Sequence, residues 1–323
     1  MAPVEDVRAV ESWFVANGLP YFVDEIREDV TKRLRPARLV SVLLVGLVLA
    51  APIGLGVGLW ADRWSYGVSS ALTTVAVIFA LYALLTLKAW LWIRWAAGQT
   101  LGSLSLMVPL VTRALPLLLL FITFLFINAE VWQVGATLDG GIMWAAVMLF
   151  AAFAVGFLLS RLPEELEAFD GHLDIDALAG ACRGTPLEGE ADRMRANHAQ
   201  LPIAAEVAGL QKANLVLVLL VAQIVQVMLL SLSVFGFFIL FGLVAMDDSV
   251  IEIWVGHEPE TLLGPISREL VQVSVFLAAF SGLYFAVYAV TDELYRKQFF
   301  TSITHELERA VSARVVYRAM RRG

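Results

Sequence analysis

Along the chain, polar positions give way six times to apolar runs long enough to cross a bilayer: Leu39–Trp60, Val68–Leu87, Ala114–Val134, Ile142–Ser160, Leu215–Ala245 and Leu270–Thr291. About 20 apolar residues cover the roughly 30 Å hydrocarbon core, so the pattern predicts an all-α integral membrane protein with six transmembrane helices. The fifth run is too long for one upright span. At 1.5 Å per residue its helix would measure about 46 Å, so it must tilt, project from the membrane, or break near Gly236 or Gly242.

Between the second and third runs, Leu104 to Val111 is apolar but is interrupted by Pro109 and ended by Arg113. This makes 96–113 an interfacial or re-entrant segment within the 39–160 membrane block; the alternative is a third span that begins near Ser105 and buries Arg113. Three segments are polar. Residues 1–38 carry Val4, Val7, Val10, Trp13 and Phe14 on one helical face, broken at Gly18 and Pro20, with a second short helix over Tyr21–Arg33. Seven acids and six bases in this stretch exclude a signal peptide. Residues 161–213 form a loop too short for a catalytic domain with its own core. After the second membrane block, 214–291, residues 292–323 place Phe300, Ile303, Leu307, Val311 and Val315 on one stripe. They predict an amphipathic helix on the inner leaflet or on the N-terminal helices.

Charge sets the expected orientation. With the N-terminus inside, only Arg63 and Arg268 of the 23 basic residues fall in outer loops, and the clusters Lys32/Arg33/Arg35/Arg38 and Arg314/Arg318/Arg321/Arg322 stay inside. Basic residues in short loops remain on the cytoplasmic side, so both termini are expected there. Cys182, in the loop between the fourth and fifth spans, is expected on the same side. Arg outnumbers Lys, and Ala, Val, Leu and Gly abound, a composition that suggests a GC-rich bacterial genome and hence a bacterial plasma membrane.

Composition excludes several classes. With 59% apolar and 16% charged residues, the chain has more apolar surface than one soluble core can hide. A formal net charge of −7 argues against nucleic acid as a partner. A single cysteine excludes an intrachain disulfide and cysteine-based metal sites. The expected partners are the lipid bilayer and either a second copy of the chain or another membrane protein.

No catalytic constellation emerges. Gly54, Gly56 and Gly58 lie inside a span rather than in a strand–loop–helix phosphate cradle. Asp170–Asp176 lacks the turn glycine and final Glu of a calcium loop, His198 stands alone, and His305-Glu306 lacks the second histidine of a zinc helix. His257, Glu258 and Glu260 are a weak metal set around a proline. No exposed Gly-x-Ser-x-Gly elbow occurs. The sequence therefore predicts a non-enzyme without metal or cofactor.

Two patterns remain. Small residues recur every fourth position as Gly46, Ala50, Gly54 and Gly58 in the first span, and as Ser274, Ala278, Gly282 and Ala286 in the sixth, which lets helices approach closely. Polar residues interrupt the apolar runs at Asn128, Glu130 and Gln133 near the outer end of the third span, and at Gln223, Gln226 and Ser233 on one face of the fifth, with Gln226 near mid-membrane. Such groups line a polar pathway or hydrogen-bond neighbouring helices. Glu130 is the expected proton or cation group. Together with the acidic outer loops (Asp62, Asp139, Asp247, Asp248, Glu252, Glu258 and Glu260) this favours a small-solute or ion transporter or channel. The alternative is a membrane scaffold or regulatory subunit.

Overall fold

The computed structural model describes residues 4–102, 119–138, 140–167, 175–196, 209–291 and 308–320. The expectations for Pro109 and Arg113, for His172 and the acids around it, for His198, and for 292–307 fall outside these residues.

Among the described residues five helices are long and apolar enough to cross a membrane: α3 (Pro36–Trp60), α4 (Trp64–Thr86), α8 (Gly140–Glu167), α11 (Leu210–Ala245) and α13 (Arg268–Thr291). A sixth candidate is the bent pair α6 (Leu119–Phe126) and α7 (Ala129–Thr137), whose axes differ by 76°. The chain is a helical, multi-pass membrane protein. α11 and α13 bury 56% and 50% of their apolar windows, α4 none, so the first two form the axis of the bundle and α3–α4 its periphery. Leu44, Val48, Leu59 and Leu72 on that outer hairpin are exposed, as lipid-facing side chains are. α3 and α4 pack chiefly on each other. Their closest approach is Gly54 and Gly58 against Gly67, where a Cβ on Gly54 would meet the Gly67 carbonyl at 2.8 Å.

The third predicted run, Ala114–Val134, is not one straight helix in its described part. Asn128 adopts an extended conformation (φ −104°, ψ 118°), and its side chain accepts the Glu130 N–H at 2.8 Å, so it caps a new helix rather than continuing the old one. The Phe126 carbonyl freed by the break is taken by the Trp132 indole N–H at 2.6 Å. The aromatic rings of Phe126, Trp132 and Phe238 then lock the corner. α7 lies beside α12 (Asp248–Val255), with Trp132 and Trp254 in edge contact at 5.9 Å. Asp247 caps α12 through the Ser249 N–H and hydroxyl, which hold its carboxyl below the usual range. Beyond α12, a two-stranded hairpin of β1 (Thr261–Leu263) and β2 (Ile266–Ser267) leads back into α13.

The opposite, terminal end of the bundle carries a helical cap made from three distant parts of the chain. These are α1 (Val4–Ala16), a 3-10 turn (Pro20–Phe22) and α2 (Asp24–Arg33); α9 (Ile175–Ala181) and α10 (Glu188–Ala196); and α14 (308–320). Phe14, Phe22, Leu178, Cys182, Leu187, Ala191, Val311 and Val316 share one apolar cluster. Of the predicted stripe only Val311 and Val315 lie in the described residues, and there burial is not confined to one face: α14 is buried on every side from Ala310 to Tyr317, Ser312 and Arg314 included. Ala310, Ser312 and Ala313 are small enough for neighbours to close over them. Within 308–320 α14 docks on α1, with Phe14 against Tyr317 and the Tyr317 hydroxyl donating to Glu11 at 2.7 Å.

α11 is the strut between cap and bundle. It starts five residues before its predicted run and is unbroken at Gly236 and Gly242, giving 36 residues and about 54 Å. Its first turns project into the cap. Here the wholly buried Asn214 accepts the Tyr21 N–H at 3.0 Å and donates to the Gly18 carbonyl at 2.9 Å. Gly18 has φ +73° and a Cβ there would meet the Trp95 ring at 3.2 Å, so a glycine is needed at this turn. The Tyr21 hydroxyl donates to Leu87 O at 2.8 Å, and burial pushes its pKa above the ordinary phenol value.

Replacing Asn214 by Leu should leave the Tyr21 amide and the Gly18 carbonyl buried without partners, at a cost of about 2–4 kcal/mol. Limited proteolysis should then cut within residues 4–34 at protease levels that leave the wild type intact. An unchanged digestion pattern and melting temperature would mean that Asn214 does not hold the cap.

Candidate functional site

The antiparallel register of α11 and α13 fixes the depth of every polar group between them. Gly242 lies against Leu270 and Gly282 against Ser231, so paired positions have nearly the same summed number along the interface. On that register Gln226 is level with Ala286 and Val287, in the last turns of the apolar window Arg268–Tyr288. Gln223 and Gln226 therefore lie nearer the terminal end than the middle of the apolar part of α13. The sequence estimate counted from the start of apolarity in α11, whose first turns belong to the cap.

Both glutamines are buried, at 0% and 3% exposure. They are three residues apart and share a face of α11 between the side that meets α13 through Val227 and Ser231 and the side that meets α5 (Ala89–Gly102) through Val218. Residues 96–102 belong to α5, which packs along α11. Neither carboxamide atom of Gln223 has a hydrogen-bond partner among the described residues, and neither does Oε1 of Gln226. Ser233, expected on the same face, is exposed and donates to Leu229 O of its own helix at 2.9 Å.

The other polar residues of the predicted pathway are elsewhere. Asn128 is consumed by its cap, and Glu130 and Gln133 are exposed on α7. α7 packs on the distal part of α13, with Gly135 against Val273 and the Gln272 side chain donating to Leu138 O at 3.0 Å. From the level of Val273 to that of Gln226 is thirteen or so residues of α13, about 20 Å. The structure thus separates Asn128, Glu130 and Gln133 from Gln223 and Gln226. Polarity within an apolar run signalled a helix restart in one case and a buried pair in the other.

The small-residue positions serve contacts of differing closeness. Gly54 and Gly58 meet Gly67, and Gly282 meets the Ser231 side chain, while Gly46 has only Val75 at 4.0 Å from a hypothetical Cβ. Ser274 is fully buried and its hydroxyl has no partner among the described residues; Ser281 donates to Leu277 O of its own helix. An apolar groove of about 550 Å3 runs between α8, α11 and α13, and among the described residues Ser231 is the only hydroxyl on its wall. Among the described residues no three of His, Cys, Asp or Glu converge as metal ligands. His257 Nδ1 lies 2.9 Å from the Glu258 carbonyl and Glu260 pairs with Arg268 at 2.8 Å.

Neither protein-family models, nor curated proteins, nor solved structures give a match to this chain. Geometry alone carries the reading of this site. Asn214, which the sequence reading passed over, is the best-satisfied buried amide in the protein; its signal was a lone Asn just ahead of the fifth apolar run.

An amide buried without partners costs about 1–3 kcal/mol. Gln223→Leu should therefore raise the thermal stability of the purified protein, by about that amount if the site stays closed. A loss of stability in the Leu variant would show that the amide is satisfied in the membrane-embedded protein.

Proposed function

We propose that the protein is a membrane transporter or channel for a small polar solute or cation, with the Gln223–Gln226 crevice as a station on its path. The observation that carries this is the pair of buried carboxamides, three residues apart on α11, without partners among the described residues. Two amide oxygens and two amide nitrogens three residues apart can accept from a hydroxylic solute, donate to its oxygens, or replace part of a cation's water shell. A group that served only to pack would gain by being Leu. The proposal assigns no catalysis, and it gives Glu130 no part, since that carboxylate is exposed some 20 Å away.

The orientation we propose follows the basic residues: the terminal end, with the cap, faces the cytoplasm of a bacterial plasma membrane. Cys182 cannot report on this. It is buried in the cap, and burial pushes its thiol up to about 11 against the opposing pull of Arg309. Arg193 is exposed on α10. In an Arg193→Cys, Cys182→Ala double variant, a membrane-impermeant maleimide should label only after permeabilisation; labelling of intact cells would reverse the orientation.

Flux of monovalent cations and of small neutral solutes into vesicles containing the purified protein tests the activity. Gln223→Leu with Gln226→Leu should reduce flux at least tenfold while the melting temperature holds or rises, and Glu130→Gln should leave it unchanged. Flux indifferent to both glutamines would remove them from the path. Absence of any flux would favour the membrane-scaffold alternative.

A further inference from the structure

At the terminal end of the bundle the chain turns from α4 into α5 within two residues. Leu87 is the C-cap of α4, and Lys88, the next residue, has φ +54°. Helices often end on a left-handed residue at this position, but it is usually glycine, because a side chain there crowds the following carbonyl. α5 begins at Ala89, and the Lys88 carbonyl accepts the Leu91 N–H at 3.0 Å, so the elbow is fixed from both helices. Leu84, Leu85, Lys88, Trp90 and Leu91 line an open depression of about 500 Å3 against it.

This depression has two chemically different halves. Lys88 is the one charged residue on its wall; it is half-buried, and among the described residues its ammonium forms neither a hydrogen bond nor an ion pair. An ammonium held against leucine and tryptophan has lost part of its water and gains from an anion. The remaining wall is apolar and open, with Leu85 78% and Trp90 58% exposed. Depth separates the halves. The apolar span of α4 ends at Thr86, so Lys88 stands two residues beyond it, at headgroup height, while Leu84 and Leu85 lie within it, beside the acyl chains. The next cation along α5, Arg94, faces a separate depression that it shares with Glu11 and Glu25.

We infer that this elbow is a binding site for an anionic phospholipid, with the phosphate on the Lys88 ammonium and one acyl chain along Leu84, Leu85 and the Trp90 ring. Charge complementarity selects the class: a headgroup with net negative charge satisfies the ammonium, while phosphatidylcholine brings its own cation and gains less. A soluble anion would leave Leu85 and Trp90 uncovered, and a neutral apolar chain would leave the ammonium unpaired. The Trp90 indole N–H can donate at the ester level, where interfacial tryptophans sit. A glycine at position 88 would suit the turn better, and what it would lack is the cation. This site is independent of whether Gln223 and Gln226 conduct anything.

The test uses the full chain, purified and delipidated in neutral detergent. It is titrated with phosphatidylglycerol or with phosphatidylcholine, and native mass spectrometry gives the apparent Kd of the first lipid bound. The wild type should bind phosphatidylglycerol about fivefold more tightly, and Lys88→Gln should remove that preference. Lys88→Gly relieves the left-handed turn, so its melting temperature should hold or rise while the preference is lost in the same measure; misfolding then cannot be the cause. Leu85→Asn should weaken both lipids and leave their ratio close to that of the wild type. Arg35 and Arg38 are exposed and lie off the wall of the depression, so replacing both by Gln should change the preference little. Equal affinity of the wild type for both lipids, a preference that survives in Lys88→Gln, or an equal loss in the Arg35→Gln, Arg38→Gln variant would overturn the assignment.

Discussion

A helix of 36 residues is about 54 Å long and a hydrocarbon core about 30 Å thick, and the architecture follows from where the difference goes. α11 neither breaks nor ends at the apolar boundary. Its first turns leave the bundle and become part of the cap, so Gln211 and Asn214 are cap residues while Val227 to Gly242 pack on α13. Because Asn214 seizes the Gly18–Tyr21 turn, the N-terminal helices are held at that height, and α14 then closes between them and α9–α10. A shorter α11 would lose the Asn214 attachment and leave the cap held to the bundle through Tyr21 on Leu87 O and Gly18 against Trp95.

Polar groups in this protein divide sharply by whether they are satisfied. Asn214 uses its oxygen and its nitrogen; Asn128 caps a helix; Trp132 takes up the carbonyl orphaned by the α6–α7 break; Gln272 reaches Leu138 O. In apolar surroundings each such bond removes a desolvation cost that would otherwise be paid in full. The Trp92 indole N–H and the Ser274 hydroxyl are also buried without partners among the described residues, but each is a single atom, whereas Gln223 and Gln226 bring two amides together within one turn of α11. This pairing, rather than the mere presence of glutamine in a span, supports a polar visitor at that level.

Hydropathy located the spans well because lipid contact depends on composition, and composition is local. It misjudged three things that depend on partners. The interruption at Asn128 looked like a polar lining, yet an Asn followed two residues later by an amide it can cap is also a helix start, and sequence alone does not weigh the two. The depth of Gln226 was counted from Leu215, but helix and apolar run begin at different residues, and only the Gly242–Leu270 and Ser231–Gly282 contacts give the true level. Arg314, spaced with Arg318 as if along a solvated face, is buried in the cap, and so are Ala310 and Ala313, which gave no apolar signal.

The cap and the glutamine face share one rigid element. Gln211 and Gln223 are twelve residues apart on α11, about 18 Å along an uninterrupted helix. Neither Gly236 nor Gly242 lies between them, and no proline interrupts the segment, so a tilt of α11 imposed at the cap is carried to the glutamine face without a hinge to absorb it. Coupling still requires that a ligand at the cap favour one tilt over another, because affinity alone shifts no equilibrium. The geometry supplies the mechanical half of that requirement. Asn214 fastens α11 to the N-terminal turn on one side, and the Arg314 helix adjoins its first turn on another, so the helix that carries Gln223 and Gln226 is attached to the cap at two points.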